Sequence, residues 1–160
     1  MNPSHIEALT GCLREMGCDI SIGDTWVEVD AYQKKLKPIS VTTLPHPGFP
    51  TDLQAPMMAL LTTIEGASVI QDTVYNDRFT HIADIQLTGN TAYIRGGKPL
   101  SSAPIMASDL RAGAALVLAA LIAEGETSIS RIYHIDRGYE NFEEKMRSLG
   151  AQIERAQDEG

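Results

Sequence analysis

The sequence PHPGFPTDLQAP, Pro45 to Pro56, places three prolines and a glycine directly before Thr51, Asp52 and an apolar run. Proline fixes φ and pushes its predecessor toward extended geometry, so Pro45, Pro47 and Pro50 hold the approach stiff. Thr51 and Gln54 have capping-box spacing, and Pro56 cannot sit deep in a helix, so a helix is predicted to start at residue 51 or 52. Asp52 then stands at a helix N-terminus, where amide dipoles favour the ionised carboxylate and suit it to accept a proton rather than supply one. The bland alternative is that Asp52 does no more than cap the helix.

On the C-terminal side of this stretch, Met57, Met58, Leu60, Leu61 and Ile64 predict a helix closed by Gly66, and ASVIQDTV predicts a strand. On the N-terminal side, Ser4 to Glu7 has capping-box spacing. Ile6, Leu9, Leu13 and Met16 then mark an amphipathic helix that stops at Gly17. CDISIG and TWVEV form a hairpin about Gly23-Asp24 with Trp26 packed on the sheet, and Tyr32 to Lys37 leads to an extended ISVTT. Beyond residue 74, YNDRFTHIADIQLTG has a weak helical pattern and NTAYIRGG reads as a short strand. Ser108 to Arg111 opens RAGAALVLAALIAEG, apolar on nearly every face from Ala114 to Ala123, which predicts a helix covered on all sides. TSISRIYHI is predicted as a strand, DRGYENFEEKMRSLG as a helix with Tyr139, Phe142, Met146 and Leu149 inward, and AQIERA as a last strand.

Two parts of the chain superimpose at an offset of 59 residues: Glu65-Gly66 on Glu124-Gly125, Ile70 on Ile129, Asp77-Arg78 on Asp136-Arg137. A partial third copy lays Leu13, Gly17, Cys18 and Ile20 on Met146, Gly150, Ala151 and Ile153. Repeats of this size imply a fold of stacked equivalent pieces. The expected division of residues 1–156 is a half unit over 1–44, a second unit over 45–97 that is shortened between His81 and Arg95, and a third over 98–156. A frayed tail, 157–160, follows. Because the first unit begins in its middle, Met1 is expected to be a cut boundary rather than a natural beginning.

Arg78 and Arg137, each preceded by an aspartate, are expected just after equivalent strands, where two guanidiniums would converge on one cleft. An ion pair with Asp77 or Asp136 is the structural alternative for each. Arg111, on the first turn of its helix, is disfavoured there by the dipole and needs an anion, either Asp109 or a ligand.

Composition narrows the classes. The 160 residues are 43% hydrophobic and 21% charged, enough for a globular core, and the net charge of −8 opposes binding to nucleic acid or to an anionic membrane. Ala114 to Ala123 is half the length of about 20 residues that a membrane span needs, and no signal-peptide pattern appears, so a soluble cytosolic protein is expected. Cys12 and Cys18 lie six apart with no histidine close by, and His46, His81 and His134 have no ligand-like spacing, so no metal site and no redox cofactor are expected.

HPGFPTDLQAP, NDRF, SDLRAGAALVLAALIAEG and RIYHIDRGYE together closely resemble the C-terminal part of the UDP-N-acetylglucosamine enolpyruvyl transferases (UDP-N-acetylglucosamine 1-carboxyvinyltransferases), over nearly the whole chain. The resemblance implies an α/β fold, the inside-out barrel with central helices and outer sheets built from repeated units, here incomplete. It implies transfer of the enolpyruvyl group of phosphoenolpyruvate to the 3-hydroxyl of UDP-N-acetylglucosamine, with release of phosphate, in peptidoglycan synthesis. By the same resemblance Asp52 would take the hydroxyl proton and Arg137 would close on the phosphate. Val74, through its backbone, and Tyr75 would lie beside the nucleotide sugar, while Arg78, Asp109 and Arg111 would be charged residues of the cleft. By the resemblance the family's reactive cysteine would belong to the other, N-terminal domain, which is expected to be missing here. The isolated chain is therefore expected to be inactive and, with apolar surface of its central helices uncovered, to self-associate. Two other readings stand beside this one: a shikimate-3-phosphate enolpyruvyl transferase piece, which shares the fold, and a non-catalytic binding or scaffold domain.

Overall fold

The computed structural model describes residues 2–74 and 85–156. Two compact units divide the chain, Met1–Lys98 and Pro99–Gly160. Tyr75, Asp77, Arg78 and His81 lie outside the described residues, as does the tail 157–160.

In the first unit Asn2 accepts a hydrogen bond from the Ser4 N–H and caps a 3₁₀ turn, Pro3–Ile6, ahead of α1, Glu7–Met16. The Ser4–Glu7 capping box is thus replaced by an Asn2 cap two residues earlier. Gly17 ends α1 at φ 109°, and the Cys18 N–H reaches back to Leu13 O at 2.9 Å, the paired closure that a left-handed residue permits. Strands β1, Asp19–Ile22, and β2, Val27–Asp30, form a separate antiparallel hairpin. Trp26 is half exposed and lies against the turn at Gly23, rather than on the sheet face as expected.

Strand β3, Ser40–Thr43, is followed by the proline-rich loop, whose His46–Pro47 bond is cis. A 3₁₀ turn, Thr51–Leu53, then leads into α2, Gln54–Thr62. The expected capping box does not form: the Thr51 hydroxyl turns to Asp72 and the Gln54 amide to Met58 Sδ, so tertiary partners displace the local one. Gly66 begins β4, Gly66–Asp72, instead of closing the helix. Strand β4 runs parallel to β3, Val41 opposite Ile70, and antiparallel to β6, Thr91–Gly96, which pairs with β5, Ile85–Thr88. The sheet order is β3-β4-β6-β5. IQLT, read above as part of a weak helical pattern, is therefore strand β5, and residues 85–96 form an antiparallel hairpin.

Buried Val41, Ile70 and Ile94 on the sheet pack with Met57, Met58 and Leu61 of α2 and with Met16 of α1. Gly96 permits close approach here. A Cβ at this position would stand 2.3 Å from the carbonyl oxygens of Leu61 and Ile64, so no other residue fits against the end of α2.

The second unit contains β7, Ile105–Met106, α3, Leu110–Ala120, and β8, Ile129–Ser130, with β7 and β8 parallel and Ile105 opposite Ile129. Ala112 to Val117 are buried, whereas Leu118 and Ile122 are exposed, so cover on all sides reaches Val117 and not Ala123. The helix stops early because the chain is taken into other backbone bonds: the Glu124 N–H donates to Leu100 O at 2.8 Å, and the Ser102 N–H to Glu124 O at 3.0 Å.

The strand expected over 127–135 is only β8. Arg131 adopts φ 56°, which breaks extended geometry, and Tyr133–Asp136 is a one-turn helix, α4. The following helix, α5, is Phe142–Ser148, and Leu149 is 79% exposed rather than inward. Residues 151–156 form no strand. Instead Arg155 fastens them through Asp136 and Glu143, satisfying charge in place of a backbone ladder.

Candidate functional site

Alternation along β4 turns Ser68, Ile70 and Asp72 to the buried face. A carboxylate at an inward position of a strand needs donors, and Asp72, fully buried, has them on both oxygens. Oδ1 accepts from Thr43 Oγ1 at 2.7 Å and from the Val74 N–H at 2.8 Å, and Oδ2 accepts from Thr51 Oγ1 at 2.9 Å. Thr43 also accepts from the Thr73 N–H at 3.2 Å, and the Thr73 hydroxyl donates to Thr43 O.

This network gathers two of the sequence-predicted residues. Asp52 is exposed in the 3₁₀ turn that Thr51 opens, and the Val74 amide is held by the same carboxylate that holds Thr51. The loop before them is shaped by its own bonds: Leu44 N–H to Phe49 O, Gly48 N–H to Pro45 O and Leu53 N–H to Pro50 O, at 2.9, 2.9 and 3.0 Å. Phe49 anchors it in the core.

In the second unit Asp109 is the N-cap of α3. Its Oδ1 accepts from the backbone N–H groups of Arg111 and Ala112 at 2.8 and 2.9 Å. Asp109 therefore supplies negative charge at a helix N-terminus that also carries the Arg111 cation. Arg137 closes α4 and does not follow a strand directly. Its guanidinium lies 5.9 Å from the centroid of the Tyr133 ring, a cation–π distance, while its neighbour Asp136 is bound by both terminal nitrogens of Arg155 at 2.8 and 3.1 Å. The ion pair of Arg137 with Asp136 considered from the sequence is thus replaced by one with Arg155.

Helices α3 and α4 touch through glycine. A Cβ on Gly113 would be 2.8 Å from Ile135 Cγ1, and one on Gly138 would be 2.8 Å from Leu110 Cδ2. The backbone next to Arg137 consequently lies against the residue next to Arg111.

Arg155 draws the carboxyls of Asp136 and Glu143 below the usual carboxylate range by hydrogen bonding, and they raise its own pKa in turn. Burial pushes the thiols of Cys12 and Cys18 upward, the direction opposite to that of a nucleophile. Among the described residues no cluster of histidine, cysteine and carboxylate side chains could hold a metal ion, and no helix is long and apolar enough to cross a membrane.

Asp72 and Arg155 were not among the candidates from sequence. For Asp72 the signal was legible, since it shares the parity of the buried Ile70 on the strand. For Arg155 no local signal exists, because its partners lie 12 and 19 residues away.

The arrangement of parallel strand pairs, covering helices and antiparallel hairpin is a mixed α/β fold of the enolpyruvyl transferase type. It superimposes on the crystal structure of the enolpyruvyl transferase NikO from Streptomyces tendae with a TM-score of 0.82 and 28% identity, over 93% of this chain and 36% of that one. Residues 1–146 match the family of EPSP synthase (3-phosphoshikimate 1-carboxyvinyltransferase), and the chain belongs to that family. It is 54% identical over 160 residues to the UDP-N-acetylglucosamine 1-carboxyvinyltransferase of Magnetococcus marinus, covering 96% of this chain and 38% of that protein. The proteins of the same name from Acinetobacter baylyi and Photorhabdus laumondii are each 48% identical, over 96% and 99% of this chain. The chain spans 38 to 39% of the length of these curated relatives.

Proposed function

We propose that this chain is the C-terminal part of a UDP-N-acetylglucosamine 1-carboxyvinyltransferase and supplies the base and part of the anion-binding wall of its site. The observation that carries the reading is Asp52. It is an exposed carboxylate on a loop shaped by its own backbone bonds and tied through Thr51 to the Val74 amide, in a sequence 54% identical to such a transferase. A hydroxyl lying along Val74 would lose its proton to Asp52 as its oxygen bonds to C2 of phosphoenolpyruvate, whose C3 gains a proton. The tetrahedral adduct then expels phosphate as C3 returns a proton, leaving the enol ether. Arg137, with Arg111 and Arg78, would hold the phosphate and carboxylate, Asp109 would orient Arg111, and Tyr75 would border the nucleotide sugar. The acid that protonates C3 would come from the other domain, so this chain alone is expected to be inactive.

Complementation tests the reading. The purified chain is mixed with the portion of the Magnetococcus marinus enzyme that it does not match, and phosphate release from phosphoenolpyruvate is followed. Turnover is expected only in the mixture and only with UDP-N-acetylglucosamine, and Asp52→Asn is expected to lower it by about 10² or more. Turnover by the chain without its complement would refute inactivity in isolation. The 3-phosphoshikimate name of the matching family favours a second reading, which turnover with shikimate 3-phosphate would select. Sugar-nucleotide binding without turnover in the mixture would instead mark a non-catalytic domain.

A further inference from the structure

Asp72 is a fully buried carboxylate, and such a charge is tolerated only where donors replace the water it has lost. Those donors come from three separate places. Thr43 ends β3, Thr51 opens the turn that carries Asp52, and Val74 lies two residues beyond Asp72. The proline-rich loop sets its own shape through internal bonds, but those bonds do not hold the turn at its far end, Thr51–Leu53, to β4. Phe49 in the core and the pairing of Thr43 with Asp72 tie the start of the loop to the end of β4; the Thr51 hydroxyl on Asp72 Oδ2 adds the side-chain link at the turn that carries Asp52, and the Val74 N–H on Oδ1 extends it to the next segment.

We infer that Asp72 is a positioning residue, holding the Asp52 carboxylate and the Val74 backbone in one register so that a nucleotide-sugar hydroxyl seated along Val74 meets the base. It takes no proton in the reaction and touches no substrate. The inference rests on the proposal that Asp52 is that base.

Chemistry separates this role from mere support of the fold. Thr51→Val keeps the shape of the side chain and removes the donor to Oδ2, whereas Thr51→Ser restores a hydroxyl. Asp72→Asn keeps an acceptor for Thr43 and Val74, and its amide can donate to a reoriented Thr51 hydroxyl, so it removes charge with little change of geometry.

The test is nuclear magnetic resonance of the whole chain, wild type and these variants. The Asp52 side-chain carboxyl carbon resonance is compared at one fixed pH, Val74 amide exchange is timed, and UDP-N-acetylglucosamine is titrated in. Thr51→Val is expected to shift the Asp52 carboxyl resonance, to speed Val74 exchange about fivefold and to weaken sugar-nucleotide binding about fivefold, with Thr51→Ser returning all three toward wild type. Should Asp72→Asn fail to fold, the two Thr51 variants decide the question by themselves. An unchanged Asp52 carboxyl resonance and unchanged Val74 exchange in Thr51→Val overturn the inference, even if its melting temperature falls. If the wild-type chain shows no response to UDP-N-acetylglucosamine while Thr51→Val still shifts Asp52 and Val74, the positioning role stands and the nucleotide-sugar reading is what fails.

Discussion

The connections β3–α2–β4 and β7–α3–β8 are both parallel strand pairs bridged by an apolar helix, yet they anchor the start of that helix in different ways. In the second, Asp109 caps its own helix from an exposed position, and the bonds span only two and three residues. In the first, the residue with a capping side chain, Thr51, points across the unit to Asp72, 21 residues away and fully buried. Local capping satisfies amide donors and nothing more. Capture by a distant buried carboxylate also fixes where the loop stands, which is what an Asp52 base would require. The lesson is that a capping pattern predicts a cap only where no stronger acceptor competes for the hydroxyl.

Removing the two anchors should have unequal effects. Asp72→Ala removes the acceptor of two hydroxyls and an amide, the buried Thr43 among them, and is expected to destabilise the first unit by about 3 kcal/mol. Urea unfolding monitored by exchange of β4 amides would measure it, and a loss below about 1 kcal/mol would erase the contrast between the two connections. Gly113→Ala probes the second connection through packing. Its Cβ would meet Ile135 Cγ1 at 2.8 Å and Ala107 Cβ at 3.2 Å, with an expected cost of about 2 kcal/mol by thermal melting of the second unit. Asp109→Ala should cost about 1 kcal/mol and speed exchange of the Arg111 and Ala112 amides without disturbing β4.

The smallest effect is expected at the exposed cluster. Arg155→Ala should cost about 0.5 kcal/mol, since its ion pairs with Asp136 and Glu143 are solvent-screened, and added salt should shrink the difference further. Because Arg155 depresses both carboxyl pKa values in the folded state, its contribution is present above their unfolded values of about 4 and is lost as pH falls through the folded ones. The difference between wild type and Arg155→Ala should therefore close on acidification, and a difference that instead widens below pH of about 4 would contradict the assigned cause.

Much of this was legible along the chain. The helix from Glu7 to Met16, the hairpin about Gly23, and the strand ending at Asp72 follow from apolar period and glycine position. The carboxyvinyltransferase resemblance read from HPGFPTDLQAP and HIDRGYE agrees with the relatives found. What was misread has identifiable causes. Thr51 and Glu124 are held by partners outside the local window, Arg131 turns to a left-handed backbone, and Ser4 loses the cap to Asn2, two residues before it. Residues 151–156 alternate like a strand, but no neighbouring strand takes them into a ladder; Arg155 ties them to Asp136 and Glu143 instead.

Sequence alone pointed to α2, to β4 and to residues 114–117 as buried apolar segments and to the stiff proline-rich approach to Asp52, because these depend on residue type and near neighbours. Tertiary structure decided that Asp72 joins Thr43, Thr51 and Val74, and that Arg155 rather than Arg137 binds Asp136. A charge is satisfied by whichever donors the packed chain brings within hydrogen-bonding distance, and no period along the sequence records that choice.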